Sequence, residues 1–371
     1  MSRIKDLQEI AGLFFKLGSI AFGGPAAHIA MMEKEVVEKR KWMSHEHFLD
    51  LMGATNLIPG PNSTEMTMHC GHEKAGWPGL IVAGFCFIFP AVTITLIFAW
   101  LYGEYGELPA VEPFIYGIKP AVIAIILSAV YRLGKKALKS TQLYLLGGLT
   151  LVVCLLGVNE IAALFGCGLL GVLIFLARQK SDKVVGIFPI ALVSVGQIGS
   201  LSVFWTFLKV GALLYGSGYV LFAYLDAELV SQGWLTRQQL IDSVAVGQFT
   251  PGPVLSTATF IGYQLNGFTG ALAATLGIFL PSFVFVAMLN PLIKKMRQLK
   301  WLSAFLDAVN AAAVAVIVAV CIEMGKETLT DWRTIAIALV SAGVVFGYKK
   351  LNSAFVVLGG ALLGWGLSFI G

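Results

Sequence analysis

The sequence predicts an all-α, polytopic membrane protein made of two homologous repeats of opposite topology with broken or re-entrant helices. Three observations predict it. Of 371 residues, 57% are hydrophobic and 13% charged, and mean hydropathy is +0.81, whereas soluble domains carry roughly 25% charge. Apolar runs recur at 80–103, 113–131, 143–158, 161–177, 270–293, 304–320 and 354–370, near the roughly 20 residues a helix needs to cross a bilayer, the shorter ones implying tilt or local thinning. Finally, the chain repeats itself. Lys16-Leu17-Gly18, Trp42, Asp50 and Pro59-Gly60-Pro61 return as Lys209-Val210-Gly211, Trp234, Asp242 and Pro251-Gly252-Pro253, and Pro90, Gly134-Lys135 and Gly171 return as Pro281, Gly325-Lys326 and Gly364, all at an offset of 191 to 193.

These matches divide the chain into a first repeat over 1–183, a linker at 184–199 that crosses the membrane if the first segment only dips in, and a second repeat over 200–371. About ten to thirteen membrane segments are expected from the hydropathy pattern. Met1 to Ile10 carries Arg3, Lys5, Asp6 and Glu9 and does not read as a cleavable leader. The net charge of +5 fits basic cytoplasmic loops better than a nucleic-acid partner. Five cysteines without paired spacing predict free thiols.

Loop charge orients the repeats. In the first, 103–112 is acidic, 131–140 is basic through Arg132, Lys135, Lys136 and Lys139, and 157–160 is acidic; the corresponding loops 290–300, 323–333 and 346–352 reverse every sign. Basic loops stay in the cytoplasm, so homologous loops of opposite sign predict inverted repeats. Arg3 and Lys5 favour a cytoplasmic N-terminus.

Two breaks recur in each repeat. Gly23-Gly24-Pro25 interrupts the first apolar segment and Gly216-Ser217-Gly218 its counterpart. Unpaired backbone costs several kcal/mol in hydrocarbon, so a repeated break marks a cavity. The second break, Pro59-Gly60-Pro61-Asn62-Ser63-Thr64 and Thr250-Pro251-Gly252-Pro253, followed by Ser256 and Thr257, ends one half-helix and starts another. With Pro61 and Pro253 at the first helical position, free N–H groups and hydroxyls converge at the positive end of a helix dipole and form an anion site. Lys16 and Lys209, about a turn before each glycine break, are costly in the membrane and read as anion attractors. Asn56 and Gln248 flank the breaks, and His28, Glu35 and Glu65 are the candidates for carrying coupling protons. His69-Cys70-Gly71-His72-Glu73 has no counterpart in the second repeat and no metal-site spacing, so neither metal nor cofactor is expected. No phosphate-loop or nucleophile signature appears, which argues against an enzyme.

Phe15-Lys16-Leu17-Gly18, Phe22-Gly23-Gly24-Pro25, His28, Glu35, Arg40, Trp42, Pro59-Gly60-Pro61, Gly76-Trp77-Pro78-Gly79 and Phe89-Pro90 resemble the CHR chromate ion transporter family. Gly247-Gln248-Phe249-Thr250-Pro251-Gly252-Pro253 and Leu280-Pro281-Ser282 resemble its C-terminal half, making the chain similar to a fused two-domain member. The resemblance implies a multi-pass protein of the cell inner membrane that exports chromate and confers chromate resistance by alternating access. Sulfate is the chemically similar rival, a proton or counter-anion gradient the driving force, and a homodimer an admissible assembly. A passive anion channel on the same fold is the reading of a different class. Asn56-Leu57-Ile58, where a glutamine is expected, and Glu65 depart from the family pattern.

Overall fold

The computed structural model describes residues 2–22, 24–106, 108–179, 199–215, 218–289, 300–348 and 351–370. Gly23, Gly216 and Ser217, most of the linker, the basic residues of 290–299, Lys349 and Lys350 lie outside the described residues. The described chain is helical: α1 (Ser2–Ile20), α2 (Pro25–Glu33, continued by a π-helical turn Lys34–Lys39), α3 (His45–Thr55), α4 (Asn62–Tyr105), α5 (Glu112–Ala137), α6 (Thr141–Leu155) and α7 (Glu160–Gln179) form the first repeat. The second contains α8 (Ser200–Leu213), α9 (Leu221–Leu225, continued by the π-helical turn Asp226–Val230), α10 (Arg237–Phe249), α11 (Thr257–Leu289), α12 (Lys300–Thr328), α13 (Trp332–Gly347) and α14 (Ser353–Leu367).

Each repeat opens with helices that turn back on themselves. After α1 ends, α2 and its π-turn return to the start of α1, where the Trp42 indole N–H donates to Glu9 at 3.3 Å. The next excursion, α3 then the first limb of α4, also returns: His47 meets Glu73 at 3.0 Å and Lys74 meets Asp6 at 3.1 Å. Helix α4 is therefore two helices. Its ladder breaks at Ala75 and Gly76 (φ 65°), and α11 breaks at the equivalent Asn266 and Gly267 (φ 58°). Tight approach of the two limbs needs small residues, and a Cβ on Gly71 would lie 2.3 Å from the Gly79 carbonyl. Behind these hairpins the second limbs of α4 and α11 run on with α5 and α12 as the long apolar helices.

The repeats interlock. Helices α6 and α7 pack against α12 of the other repeat, while α13 and α14 pack against α5 of the first, and α4 packs on α11. Gly18 of α1 faces the Phe87 carbonyl and Gly211 of α8 the Ile278 carbonyl, the same contact in each copy. Residues such as Ile81, Phe85 and Phe89, spaced four apart, stay 46 to 60% exposed along one helix face, as a lipid-facing stripe requires. Helices α6, α13 and α14, at 15 to 16 residues, span only about 24 Å at 1.5 Å per residue and imply local thinning of the bilayer.

Candidate functional site

The two breaks meet at the centre, across the repeats. The Gly60 N–H donates to the Leu214 carbonyl at 2.7 Å, and the Gly252 N–H donates to the Ala21 carbonyl at 2.8 Å. Ala21 and Leu214 are equivalent residues, two positions before each glycine break. Each break thus leaves a carbonyl without its helical donor, and the glycine of the other repeat's Pro-Gly-Pro supplies one, which removes the penalty of bare backbone in hydrocarbon.

Both glycines are needed for conformation and for space. Gly60 has φ +135° and Gly252 φ +83°, which side-chain-bearing residues rarely adopt. A Cβ on Gly60 would lie 2.0 Å from Oε1 of Glu65 and 2.6 Å from Oγ of Ser282, and one on Gly252 would lie 2.8 Å from Cβ of Ala91. Ala91 and Ser282 are themselves repeat equivalents.

Pro61 and Pro253 stand one residue earlier than the sequence suggests. Their ψ values of 99° and 130° are extended, so they are N-caps, not first helical residues, and Asn62 opens α4 while a 3₁₀ turn Val254–Ser256 precedes α11. Asn62 and Ser63, and in the other repeat Val254 and Leu255, thus begin their helical turns with backbone N–H groups, where a proline at the first position would have none. Asn62 Nδ2 donates to Oδ1 of Asn56 at 2.7 Å, and Asn56 donates to the Met52 carbonyl at 3.0 Å.

The hydroxyls differ between the copies. Thr64 is fully buried with no partner for its Oγ1, whereas Thr257 donates to the Val254 carbonyl at 2.8 Å and Ser256 accepts from Thr95 at 3.1 Å. Ser63 is 2% exposed, Thr250 donates to the Gly247 carbonyl, and Gln248 keeps an unpartnered Nε2. Glu65, fully buried, packs its carboxyl over Gly60, and no well-aligned donor reaches either oxygen among the described residues. Ser282 Oγ sits beside it.

The lysines are not equivalent either. Lys209 is paired with Glu228 at 2.7 Å, while Lys16 is exposed and has no ion-pair partner among the described residues. Glu35, the equivalent of Glu228, is held by Lys39 at 2.7 Å and by Arg40 at the outer end of the first hairpin, away from the breaks. His28, 1% exposed, donates Nε2–H to the Ala21 carbonyl at 3.0 Å and stacks edge-on against Phe87. It therefore shares the carbonyl that receives Gly252. Gly24 lies with Tyr219 of the second repeat, whose hydroxyl would be 3.6 Å from a Cβ there.

One buried charge cluster escaped sequence reasoning. Lys119 of α5 reaches Asp242 of α10 at 3.2 Å, and the Tyr102 hydroxyl donates to the same carboxylate at 2.6 Å. Lys119 is the lone cation in the run 113–131; that solitary charge was the available signal, since intramembrane cations are seldom idle.

Comparison with known proteins agrees with the repeated architecture. The family model described as chromate transporter matches residues 8–172 and again 201–365. A chromate transport protein of Cupriavidus metallidurans is 32% identical over 96% of this chain and 92% of its own length. One of Pseudomonas aeruginosa is 31% identical over 96% and 91%, and a probable chromate transport protein of Synechococcus elongatus 29% identical over 97% and 95%. No solved structure matches. Both matched stretches coincide with the two repeats, each carrying its own Pro-Gly-Pro break, and the chain belongs to the chromate transporter family.

Proposed function

We propose that this protein is a secondary carrier that exports chromate from the cytoplasm by alternating access at a central site shared by two inverted repeats. The observation that carries the reading is the reciprocal pair of backbone bonds, Gly60 to Leu214 and Gly252 to Ala21. Each half-helix end is tied to the other repeat's break, so a rocking of one repeat against the other changes both sites together, as alternating access requires. The relatives' names supply chromate as the substrate, and a tetrahedral dianion suits helix N-terminal N–H groups with a nearby cation. Lys16, Asn56, Asn62, Ser63 and Thr64 on one side and Lys209, Gln248, Thr250, Ser256 and Thr257 on the other are the proposed ligands. Sulfate, of the same charge and shape, is the competing substrate.

Inversion is supported by the loop charges and by which loops share an end. The Tyr116 hydroxyl donates to Asp331, so the start of α5 and the loop after α12 lie together, while the basic residues Lys135 and Lys136 lie at the far end of α5. Residues 131–140 and 323–333 are repeat equivalents at opposite ends of a helix of about 30 Å. The basic end is cytoplasmic by the positive-inside rule, which puts the first hairpins and the N-terminus inside as well.

An inside-negative potential favours outward movement of a dianion. Moving one charge across 100 mV is worth about 2.3 kcal/mol, so a dianion gains about 4.6 kcal/mol, enough for export without ATP. Glu65 is the proposed coupling residue: ionised, it repels an anion at the first half-helix, and protonated, it admits one. Chromate and sulfate flux in everted vesicles tests the reading. Wild type is expected to accumulate chromate, Gly60→Leu and Gly252→Leu to insert but lose flux, and Lys16→Ala and Glu65→Gln to change its rate and pH dependence. Equal flux in wild type, all four variants and protein-free vesicles would defeat the proposal.

A further inference from the structure

A cavity of about 150 Å³ lies between the repeats, bounded by Asn56, Lys136, Lys139, Val220, Asp307 and Asn310. One side of it is lined by Asn56, whose side chain accepts from Asn62, the first residue of the α4 half-helix. Lys136 and Lys139, at the end of α5, line another side, both exposed, with no ion-pair partner among the described residues. The cavity therefore joins two free cations to the half-helix end through a polar pair.

The repeat-related positions have the opposite character. Lys136 corresponds to Glu327 and Lys139 to Thr330; Asp307 corresponds to Tyr116 and Asn310 to Lys119. The side chains there are engaged: Glu327 pairs with Arg237 at 3.1 Å, the Tyr116 hydroxyl donates to Asp331, and Lys119 pairs with Asp242 at 3.2 Å. At these equivalent positions, among the described residues, the basic mouth offers two cations without an ion-pair partner and the other offers paired charges. A cleft of net positive charge, here two lysines against the one carboxylate of Asp307, raises the local concentration of an anion, an effect that depends on ionic strength.

Building on the proposed oxyanion transport, we infer that this cavity is an access site for tetrahedral dianions at the basic face only, with Lys136 and Lys139 capturing the anion and Asn56 and Asn62 passing it to the half-helix. Asp307 on the rim is the opposing charge that keeps capture reversible. The carrier is consequently asymmetric, with a lower KM for anion presented at the basic face than at the other.

The test replaces the two lysines with their repeat equivalents, Lys136→Glu with Lys139→Thr, and uses Asp307→Asn as a separate variant. Initial rates of chromate transport are measured in everted and right-side-out vesicles at low and high salt. In everted vesicles the double variant is expected to raise KM about three- to tenfold at low ionic strength with its maximal rate kept, the effect shrinking in high salt, as for lost steering. Asp307→Asn is expected to lower KM there, and right-side-out vesicles to show neither change. An unchanged KM, or the same change in both orientations, overturns the access site while leaving transport itself intact. Absence of chromate and sulfate flux in wild type instead overturns the proposed function. The cavity is then judged by potassium chromate binding to purified protein through quenching of tryptophan fluorescence: a Kd unaffected by the double variant overturns it, and a Kd raised about three- to tenfold at low salt supports it.

Discussion

At the scale of single residues, Lys119 and Asp242 make the most demanding pair. Their side chains are 15% and 5% exposed, they sit on different repeats, and Tyr102 fixes the geometry of the carboxylate from a third helix. Two charges taken out of water are costly, and removing one strands the other, at about 3–5 kcal/mol, whereas replacing both with apolar residues is often neutral. Lys119→Met and Asp242→Leu are each expected to lower the thermal stability of the detergent-solubilised protein, and the double variant to recover most of the loss. Additive losses would mean that the two charges do not depend on each other. Lys209 with Glu228 follows the same logic, so an anion would meet it as part of a pair, whereas Lys16 has no ion-pair partner among the described residues.

At the scale of elements, the breaks decide what the helices can do. The duplicated Pro-Gly-Pro and glycine interruptions were readable because proline and glycine punctuate a helix whatever surrounds them. The turn at Ala75-Gly76, repeated at Asn266-Gly267, stands just before the apolar runs that begin at 80 and 270, and a lone glycine there does not tell a sharp reversal between two helix limbs from an ordinary helix start. The cross-repeat bonds of Gly60 and Gly252 were out of reach for a different reason: they join residues about 150 and 230 positions apart, and no local pattern encodes such a pairing. Pro61 and Pro253 were placed one residue too far into their helices, since sequence cannot separate an N-cap from a first turn. The two kinds of glycine predict different outcomes. At Gly76 an added Cβ meets nothing within 4 Å, so Gly76→Ala costs only its glycine-type backbone conformation (φ 65°, ψ −149°), about 1–3 kcal/mol. At Gly60 the positive φ of 135° is joined by collision with Glu65 and Ser282. Gly60→Ala is expected to cut chromate flux at least about tenfold, which is about 1.4 kcal/mol, with Gly76→Ala keeping most of it at equal membrane abundance. Equal loss at both would assign the effect to folding.

At the scale of the whole molecule, the interlocking of the repeats explains why a duplicated chain works as one unit. Helices α6 and α7 bury their faces on α12 and α13 and α14 on α5, so neither repeat closes its own bundle. The same exchange makes the proposed inversion testable, because it sets residues related by the repeat at opposite ends of the molecule. Lys135 stands at the end of α5 and Thr330 just past α12, both exposed, and Tyr116 at the other end of α5 meets Asp331. Single cysteines introduced as Lys135→Cys and Thr330→Cys, in a chain whose five native thiols are replaced, are expected to react with a membrane-impermeant maleimide from opposite faces. Lys135→Cys should label only in everted vesicles and Thr330→Cys only in right-side-out ones. Labelling of both from one face would make the duplication parallel, and the two half-helix ends would then approach from the same side and could not form one central site with alternating access.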